Sequence, residues 1–313
     1  MKPKISVIML TYNHAPYLKE AIEGVLSQKT NFPLELIICN DNSPDDSDHI
    51  ISEYAAQYPD IIRYFSHKVN IGFVENQRFA FAQVKGKYVA YCEGDDYWTD
   101  SEKLQFQYDF LENNPEYAMV TARNLLLHQD ENKLTEDGKD AMFQGREYID
   151  YTQDSFFIQR PTQTFTYLIR KDCIDSKWID IYPNYRDLYY FYHVLEFGKG
   201  RSFNKVVGVY RLHSGGVFSS LETEKQYRTS IDIFKNIKRI NNDKRADQQI
   251  VNTLDQLINK YYYEKEFTSP LLNRKLYSAI FERFSISGNI GTGISQLLKI
   301  IKYTFTRSIK TYN

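Results

Sequence analysis

The segment YCEGDDYW at residues 91–98 holds the densest group of side chains that could do chemistry. Glu93, Asp95 and Asp96 place three carboxylates within four positions, directly after an apolar run. Carboxylates this close repel one another unless a cation lies among them. An oxygen-rich group of this kind suits Mg²⁺ or Mn²⁺ that carries substrate phosphates. The pattern therefore predicts a divalent metal site, and the alternative is a solvated acidic turn.

Asp187 is a second candidate, because it opens the aromatic-rich segment DLYYFYHVLEF. A carboxylate at an aromatic cleft could act as a general base. The same residue at the start of a helix could instead serve as a cap with no further role. The residues alone leave both interpretations of Asp187, base and cap, open.

The sequence YRLHSGG joins Arg211 and His213 to the glycine pair Gly215 and Gly216. Such a combination suits a mobile loop that closes over phosphates. A lone histidine is usually structural, but this one follows a strand-like segment in a chain that already has an acidic turn. We predict that His213 is a metal or diphosphate ligand.

Polar residues also follow the first two apolar runs of the chain. They are Thr11, Tyr12, Asn13 and Asp41. Open parallel sheets bind ligands beyond the carboxyl ends of their strands, so these residues are candidates for ligand binding. The alternative is that they form turns and cap the next helix, and we prefer that interpretation for Asp45 and Asp46.

The elements that must position these residues alternate between strands and helices. Short β-rich apolar runs predict strands at 5–10, 34–39, 61–65 and 88–92, and helical spacing predicts helices at 15–28 and 74–84. This order predicts an α/β fold with a mostly parallel central sheet flanked by helices.

The pattern becomes less regular after Asp100. It predicts helices at 102–112 and 187–197, extended segments at 117–127, 163–170 and 203–210, and a surface loop at 128–142. From about residue 222 the periodicity is almost wholly helical. We therefore predict a catalytic domain at 1–220 and a helical C-terminal region at 221–313.

Composition limits the class of protein and its location. The chain has 313 residues, a net charge of −1 and 42% hydrophobic residues, which excludes wholesale disorder and a nucleic-acid binder that works by bulk charge. Cys39, Cys92 and Cys173 show no zinc spacing and favour a reducing compartment. With no signal peptide and no long apolar run, the sequence predicts a cytoplasmic protein.

The tail at residues 294–313 carries four basic residues and no acid. Its apolar residues fall on one helical face, so it could lie on an anionic membrane at the inner face of the cell membrane. The alternative is that this face packs on the preceding helices or on a second copy of the chain in a homo-oligomer.

Four segments together resemble the inverting family 2 glycosyltransferases of the type A fold. They are SVIMLTYNHAPYLKEAIEGVLSQ, ELIICNDNSPDDS, KGKYVAYCEGDDYWTD and GVYRLHSGGV. They occur in the expected order between residues 6 and 217, about two thirds of the chain. The resemblance implies a glycosyltransferase of the hexosyl or N-acetylhexosaminyl class that uses a UDP-sugar. It also implies a glycan or lipid-linked sugar acceptor and a role in bacterial surface polysaccharide synthesis.

The resemblance also implies a role for each candidate residue. The nucleotide-sugar site would comprise Thr11, Tyr12, Asn13, Asp41, Asn76, Asp95 and Asp96. Glu93 stands at the first acidic position of the family's D-x-D element, so Glu93, Asp95 and His213 would form the Mn²⁺ or Mg²⁺ site. Asp187 would be the catalytic base.

Three rival functions fit the sequence less well. A sugar nucleotidyltransferase or a nicotinamide enzyme would need a glycine-rich loop after the first strand, yet no glycine precedes Gly24. A non-catalytic nucleotide-sugar or glycan-binding module would keep the aromatic residues and lose the acids. Asp95, Asp96 and Asp187 are all present, which favours the enzyme.

Overall fold

The computed structural model describes residues 2–157, 163–175, 177–182, 186–216, 221–263 and 274–288. The chain divides into two compact units, residues 1–216 and 217–313. The boundary predicted at residue 220 and the tail predicted at 294–313 lie outside the described residues.

The first unit contains a ten-stranded sheet. Its strands are β1 (Ile5–Thr11), β2 (Leu34–Asn40), β3 (Ile62–Ser66), β4 (Tyr88–Tyr91), β5 (Tyr97–Trp98), β6 (Tyr117–His128), β7 (Lys133–Glu136), β8 (Tyr148–Tyr151), β9 (Leu168–Arg170) and β10 (Lys199–Leu212). Its helices are α1 (Ala15–Leu26), α2 (Ser47–Gln57), α3 (Phe73–Ala82), α4 (Lys103–Asn113), α5 (Asp140–Phe143), α6 (Trp178–Ile181) and α7 (Asp187–Val194). Helical 3-10 turns span Gln129–Glu131, Thr164–Thr166 and Lys171–Cys173.

The sheet runs in the order β3-β2-β1-β4-β9-β6-β10-β5, with β7 on β6 and β8 on β10. The four N-terminal strands pair in parallel, as the alternation of strands and helices predicts. Strand β9 enters antiparallel between β4 and β6, so the sheet is mixed beyond this parallel block. The predicted α/β fold with a central sheet flanked by helices is confirmed.

The parallel block forms the core because its sequence is apolar on both faces. Every residue of β1 is buried, including Ser6 and Thr11. Helix α1 contributes Leu18, Ile22 and Val25 to the same core, which are the residues whose spacing predicted the helix. This packing fixes the carboxyl ends of the strands against one another.

The segment at 128–142 differs from the prediction of a plain surface loop. After the turn at 129–131, β7 pairs antiparallel with the end of β6, and α5 follows. The residues of β7 are exposed or half-buried, so they carry no apolar alternation that a sequence pattern could show. Backbone hydrogen bonds to β6 hold this edge strand instead.

The second unit is helical in its described part. It contains α8 (Thr223–Asn241), α9 (Ala246–Tyr263) and α10 (Arg274–Ser287). Helix α8 packs on α9, and α9 packs on α10. Ion pairs between Arg228 and Glu282 (2.6 Å) and between Arg283 and Asp255 (2.5 Å) join these helices. In the described residues, none of the helices has the length and apolarity needed to cross a membrane.

Candidate active site

The ends of β1 and β2 meet directly, because these strands pair in register up to Thr11 and Asn40. The backbone N–H of Asp41 donates to the carbonyl oxygen of Thr11 at 2.9 Å. The N–H of Gly94 donates to the carbonyl oxygen of Leu10 at 3.2 Å, which brings the turn after β4 to the same edge. The polar residues of three strand ends therefore converge, as expected for an open parallel sheet.

Gly94 allows the acidic turn to approach the end of β1 closely. A Cβ atom at this position would lie 2.7 Å from Thr11 Oγ1 and 2.9 Å from His14 Nδ1. Neither Thr11 Oγ1 nor His14 Nδ1, both buried, has a hydrogen-bond partner among the described residues. Since buried polar atoms are normally paired, the space beside the turn is one that a polar ligand or ordered water would complete.

Two histidines converge on the carboxylate of Asp95. The Nε2 atom of His213 lies 3.1 Å from Asp95 Oδ2, and Nε2 of His14 lies 3.6 Å from the same oxygen. Burial acts to raise the pKa of Asp95, but the two histidines outweigh it and the pKa is lowered. Burial lowers the pKa of His14. An ionised carboxylate therefore lies between two imidazoles.

Glu93 is half-buried and lies near enough to Asp95 and Asp187 to feel the charge of both. Its pKa is raised to about 8, first by burial and then by the charge of Asp95, with a smaller effect from Asp187. Its Oε2 atom is buried and has no hydrogen-bond partner among the described residues. Glu93 is therefore a carboxyl that lacks a counter-charge within the described part of the chain.

Asp96 points toward β10 and is buried. Its Oδ1 accepts a hydrogen bond from the backbone N–H of Arg211 at 2.9 Å. Burial and the neighbouring acids Asp95 and Glu93 raise its pKa well above the usual value. The hydrogen bond ties the acidic turn to the end of β10, which gives Asp96 a positioning role in this structure.

The predicted loop at 210–216 is only partly a loop. Arg211 lies in β10, with its side chain 5% exposed. Its Nε donates to the carbonyl oxygen of Asp95 at 2.8 Å, and its guanidinium also pairs with Glu20. Arg211 thus holds the acidic turn, while His213 follows the strand and faces Asp95.

Asp187 is the first residue of α7. Its Oδ2 accepts a hydrogen bond from the Thr164 hydroxyl at 2.6 Å, and its Oδ1 accepts one from the backbone N–H of Leu188 at 2.8 Å. The cap interpretation and the base interpretation both fit this position. The two donors hold the carboxylate in one orientation near Glu93, and its role as base stays a prediction.

The predicted nucleoside residues fall into two groups. The side chains of Asp41 and Asn76 are buried, and each already makes hydrogen bonds to the backbone. Asp41 accepts the backbone N–H groups of Ile71 (2.7 Å) and Gly72 (2.9 Å). Asn76 donates to the carbonyl oxygen of Cys39 at 3.1 Å, which ties α3 to the end of β2.

Tyr12 and Asn13 belong to the second group, which faces solvent. Tyr12 is 48% exposed. Asn13 adopts a left-handed backbone (φ 60°), and its N–H donates to the Ser43 hydroxyl at 3.0 Å. The exposed phenol ring of Tyr12, one residue beyond the end of β1, is suited to stacking on a base. The assignment of these residues to a nucleotide stays a prediction.

The donor set fits a divalent cation at Asp95. Within the described residues, no three His, Cys, Asp or Glu side chains are already arranged around a common point as ligands. However, Asp95 with His213 offers an oxygen and a nitrogen donor, and the Oε2 atom of the neighbouring Glu93 is buried with no hydrogen-bond partner among the described residues. A cation here would relieve this buried acid.

His14 was not identified from the sequence. It directly follows Tyr12 and Asn13 at the end of β1, so its position beside a strand end was the available signal. A single histidine before a helix has no sequence pattern that distinguishes a ligand-binding residue from a structural one. Only the packing of α1 against the acidic turn shows that its ring lies beside Asp95.

The comparisons with known proteins agree with this geometry. Residues 6–175 match the family described as "Glycosyl transferase family 2". An uncharacterised protein of Mycobacterium tuberculosis is 31% identical over 225 residues, which are 71% of this chain and 62% of that relative. The chain thus spans less than two thirds of the length of this relative.

Solved structures share the fold at low sequence identity. TarS of S. aureus in complex with UDP-GlcNAc has a TM-score of 0.63 and 18% identity, over 90% of this chain and 81% of that chain. A mannosyltransferase of Pyrobaculum calidifontis in complex with GDP-Man and Mn²⁺ has a TM-score of 0.57 and 14% identity, over 100% and 83%. With the family match covering more than half of the chain, this protein belongs to glycosyl transferase family 2.

Proposed function

We propose that this protein is a metal-dependent inverting glycosyltransferase. It transfers a hexose or N-acetylhexosamine from a nucleoside diphosphate, with UDP as the expected nucleotide, to an acceptor hydroxyl. The observation that carries the proposal is the contact of His213 with Asp95 at the carboxyl end of the parallel block, with Glu93 two residues before Asp95 and the separate carboxylate of Asp187 near enough to affect the pKa of Glu93. The structures similar to this chain include complexes with UDP-GlcNAc and GDP-Man.

Asp95 and His213, with Glu93 beside them, are the residues that would hold the metal. A divalent metal at a diphosphate offsets the negative charge that develops on the leaving group. Thr11, Tyr12, Asn13 and Asp41 surround the strand ends where the nucleoside would bind. The residues of this chain thus bind and orient the donor, with its diphosphate toward the acidic turn.

Asp187 acts as the base in this proposal. It removes the proton of the acceptor hydroxyl as that oxygen attacks the anomeric carbon from the face opposite the leaving group. The Thr164 hydroxyl and the Leu188 N–H hold its carboxylate in place for this step. Direct attack with one base inverts the configuration of the anomeric carbon. A second carboxylate acting as nucleophile would instead retain it, as in the retaining glycosidases.

A panel of UDP- and GDP-sugars, each with and without Mn²⁺, tests the proposal most simply. We expect one donor to be hydrolysed slowly in the presence of Mn²⁺, with release of the nucleoside diphosphate. An Asp187→Asn variant should bind the same donor without this turnover. Binding of a nucleotide sugar with no turnover in either protein would favour the alternative, a non-catalytic binding module.

The acceptor in this proposal is a glycan or a lipid-linked sugar of a bacterial surface polysaccharide. The basic residues of the segment 294–313 would then contact an anionic cytoplasmic membrane surface. Flotation with vesicles that contain anionic lipid, compared between the full chain and a chain lacking 294–313, tests the contact. Loss of flotation with intact UDP binding supports it, and unchanged flotation contradicts it.

A further inference from the structure

A pocket of about 580 Å³ opens beside Arg211 and contains none of the residues assigned above to the donor, the metal or the base. It is formed by α1, β5, the end of β10, and the end of β6 with the turn and strand β7 that follow it. Its aromatic and polar lining residues are Tyr17, Glu20, Tyr97, Gln129, Asn132 and Arg211. Pockets of this volume hold ligands of drug size, a class that includes a disaccharide.

The charges in this pocket cancel. The Arg211 guanidinium pairs with the Glu20 carboxylate, and its Nη1 donates to Gln129 Oε1 at 3.0 Å. No other charged side chain is among the described residues that line the pocket. A nucleotide or another anion would therefore find no unpaired cation here, and the pocket suits a neutral ligand.

Several hydrogen-bonding groups in the pocket remain available to such a ligand. The side-chain amide of Asn132, the amide nitrogen of Gln129 and the hydroxyls of Tyr17 and Tyr97 make no hydrogen bond within the described part of the chain. They offer both donors and acceptors. A ligand with several hydroxyl groups can satisfy these groups together.

Two tyrosine rings in the same wall contact Arg211. The guanidinium carbon of Arg211 lies 4.9 Å from the ring centroid of Tyr17 and 4.9 Å from that of Tyr97. Cation–π contacts of this kind favour the observed orientation of the rings. Aromatic side chains with polar ends suit the mixed apolar and hydroxyl-bearing surface of a sugar ring.

The wall of the pocket is continuous with the acidic turn. The backbone N–H of Arg211 donates to Asp96 Oδ1, and its Nε donates to the carbonyl oxygen of Asp95. The ring of Tyr17 lies 4.7 Å from the ring of His213, centroid to centroid. A sugar bound here would thus contact the residues that position the metal ligands.

We infer that this pocket binds a carbohydrate unit of the acceptor glycan, at a distance from the hydroxyl that reacts. The inference rests on the proposed function, because a glycan acceptor brings such a unit to the site. The neutral, hydroxyl-binding lining and the shared wall with Asp95 and His213 identify the ligand class and its relation to the site.

Saturation-transfer NMR with four disaccharides tests the pocket: N,N′-diacetylchitobiose, cellobiose, maltose and lactose. The full chain is compared with the double variant Tyr97→Phe/Asn132→Gly, which removes one hydroxyl and one amide. Glycine tolerates the left-handed backbone at Asn132 (φ 48°). The matched control is Tyr148→Phe/Asn242→Gly, with an exposed tyrosine and another left-handed asparagine (φ 53°) outside the pocket.

We expect at least one disaccharide to bind the wild-type chain and the control equally. The double variant should bind it about tenfold more weakly, the effect expected from two lost hydrogen bonds. Absence of binding for all four sugars, or equal binding by both variants, would overturn the inference. UDP binding by calorimetry is measured on the same samples. If the wild-type chain did not bind UDP, that result would contradict the proposed function and not the assignment of this pocket.

Discussion

Asp187 is the residue whose substitution separates binding from chemistry. The Asn side chain keeps an oxygen that can accept the hydrogen bond of Thr164, but it cannot take up a proton at neutral pH. We expect Asp187→Asn to lower kcat by about 10²–10⁴-fold, the usual contribution of general base catalysis, with donor affinity within about twofold. Steady-state transfer kinetics and calorimetry with UDP measure the two effects.

The control for this prediction is Asp60→Asn, which changes an exposed aspartate in the same unit. It should leave both kcat and donor affinity unaltered. Near wild-type transfer by Asp187→Asn would show that another group removes the proton.

Glu93 gives the metal-free protein a pH-dependent stability. Its folded pKa of about 8 lies above the usual value of 4.5, so the folded state binds the proton more tightly than the unfolded state. The resulting stabilisation is complete below pH 4.5 and is lost as the pH rises through 8. Glu93→Gln mimics the neutral form and should remove this loss.

We therefore compare the free energy of unfolding of Glu93→Gln with that of the wild type at two pH values. Relative to the wild type, the variant should be more stable at pH 8 than at pH 5 by roughly 1–3 kcal/mol. Urea unfolding in EDTA, followed by circular dichroism, measures this difference. The exposed Glu131→Gln serves as the control and should show the wild-type pH profile. Parallel pH profiles for Glu93→Gln and the wild type would mean that Glu93 is ionised in the fold.

Asp45 connects the N-termini of two helices. Its Oδ2 accepts the backbone N–H of Ala15, the first residue of α1, at 2.8 Å. Its Oδ1 accepts the N–H of Ser47, the first residue of α2, at 3.1 Å. The capping role predicted from the sequence therefore holds for Asp45, and His14 directly precedes the helix α1 that Asp45 caps.

Loss of this side chain should destabilise the first unit. We expect Asp45→Ala to lower the free energy of unfolding by about 1–2 kcal/mol, the typical effect of a lost helix cap. Asp46→Ala is the matched control, because Asp46 occupies the N-cap position of α2 without a side-chain capping bond. Asp46 thus holds the predicted N-cap position, but the side-chain hydrogen bond to the first turn of α2 comes from Asp45. Equal effects of the two variants in urea unfolding would contradict the assignment.

The elements that the sequence predicted well are those with strong apolar patterns. The runs of β1, β2 and β4 are buried and uniform, and the stripe on α1 has clear helical spacing. Strand β7 is exposed and held by edge pairing, so it had no such signal. The antiparallel entry of β9 between β4 and β6 joins distant parts of the chain, and no local pattern indicates it.

The same limit applies to the candidate site. The acidic turn was evident because Glu93, Asp95 and Asp96 are adjacent in sequence. The role of Arg211 depends on a contact with Asp95 across 116 positions, and that of His14 on the packing of α1. The sequence thus indicated the acids and His213, but neither His14 nor the contact through which Arg211 holds the turn.

At the scale of the whole molecule, every residue assigned to donor, metal and base lies in the first unit, residues 1–216. The helical second unit contributes none of them. We therefore propose that this α/β unit binds a nucleoside diphosphate through a divalent metal held at Asp95.

Calorimetric titration of UDP into the full chain, with Mn²⁺ and with EDTA, tests that claim most directly. We predict at least about tenfold tighter binding with Mn²⁺, which corresponds to about 1.4 kcal/mol, and loss of this gain in Asp95→Asn. GDP is titrated in parallel and should bind more weakly. Equal UDP affinity with Mn²⁺ and EDTA, or an undiminished Mn²⁺ effect in Asp95→Asn, would contradict the account.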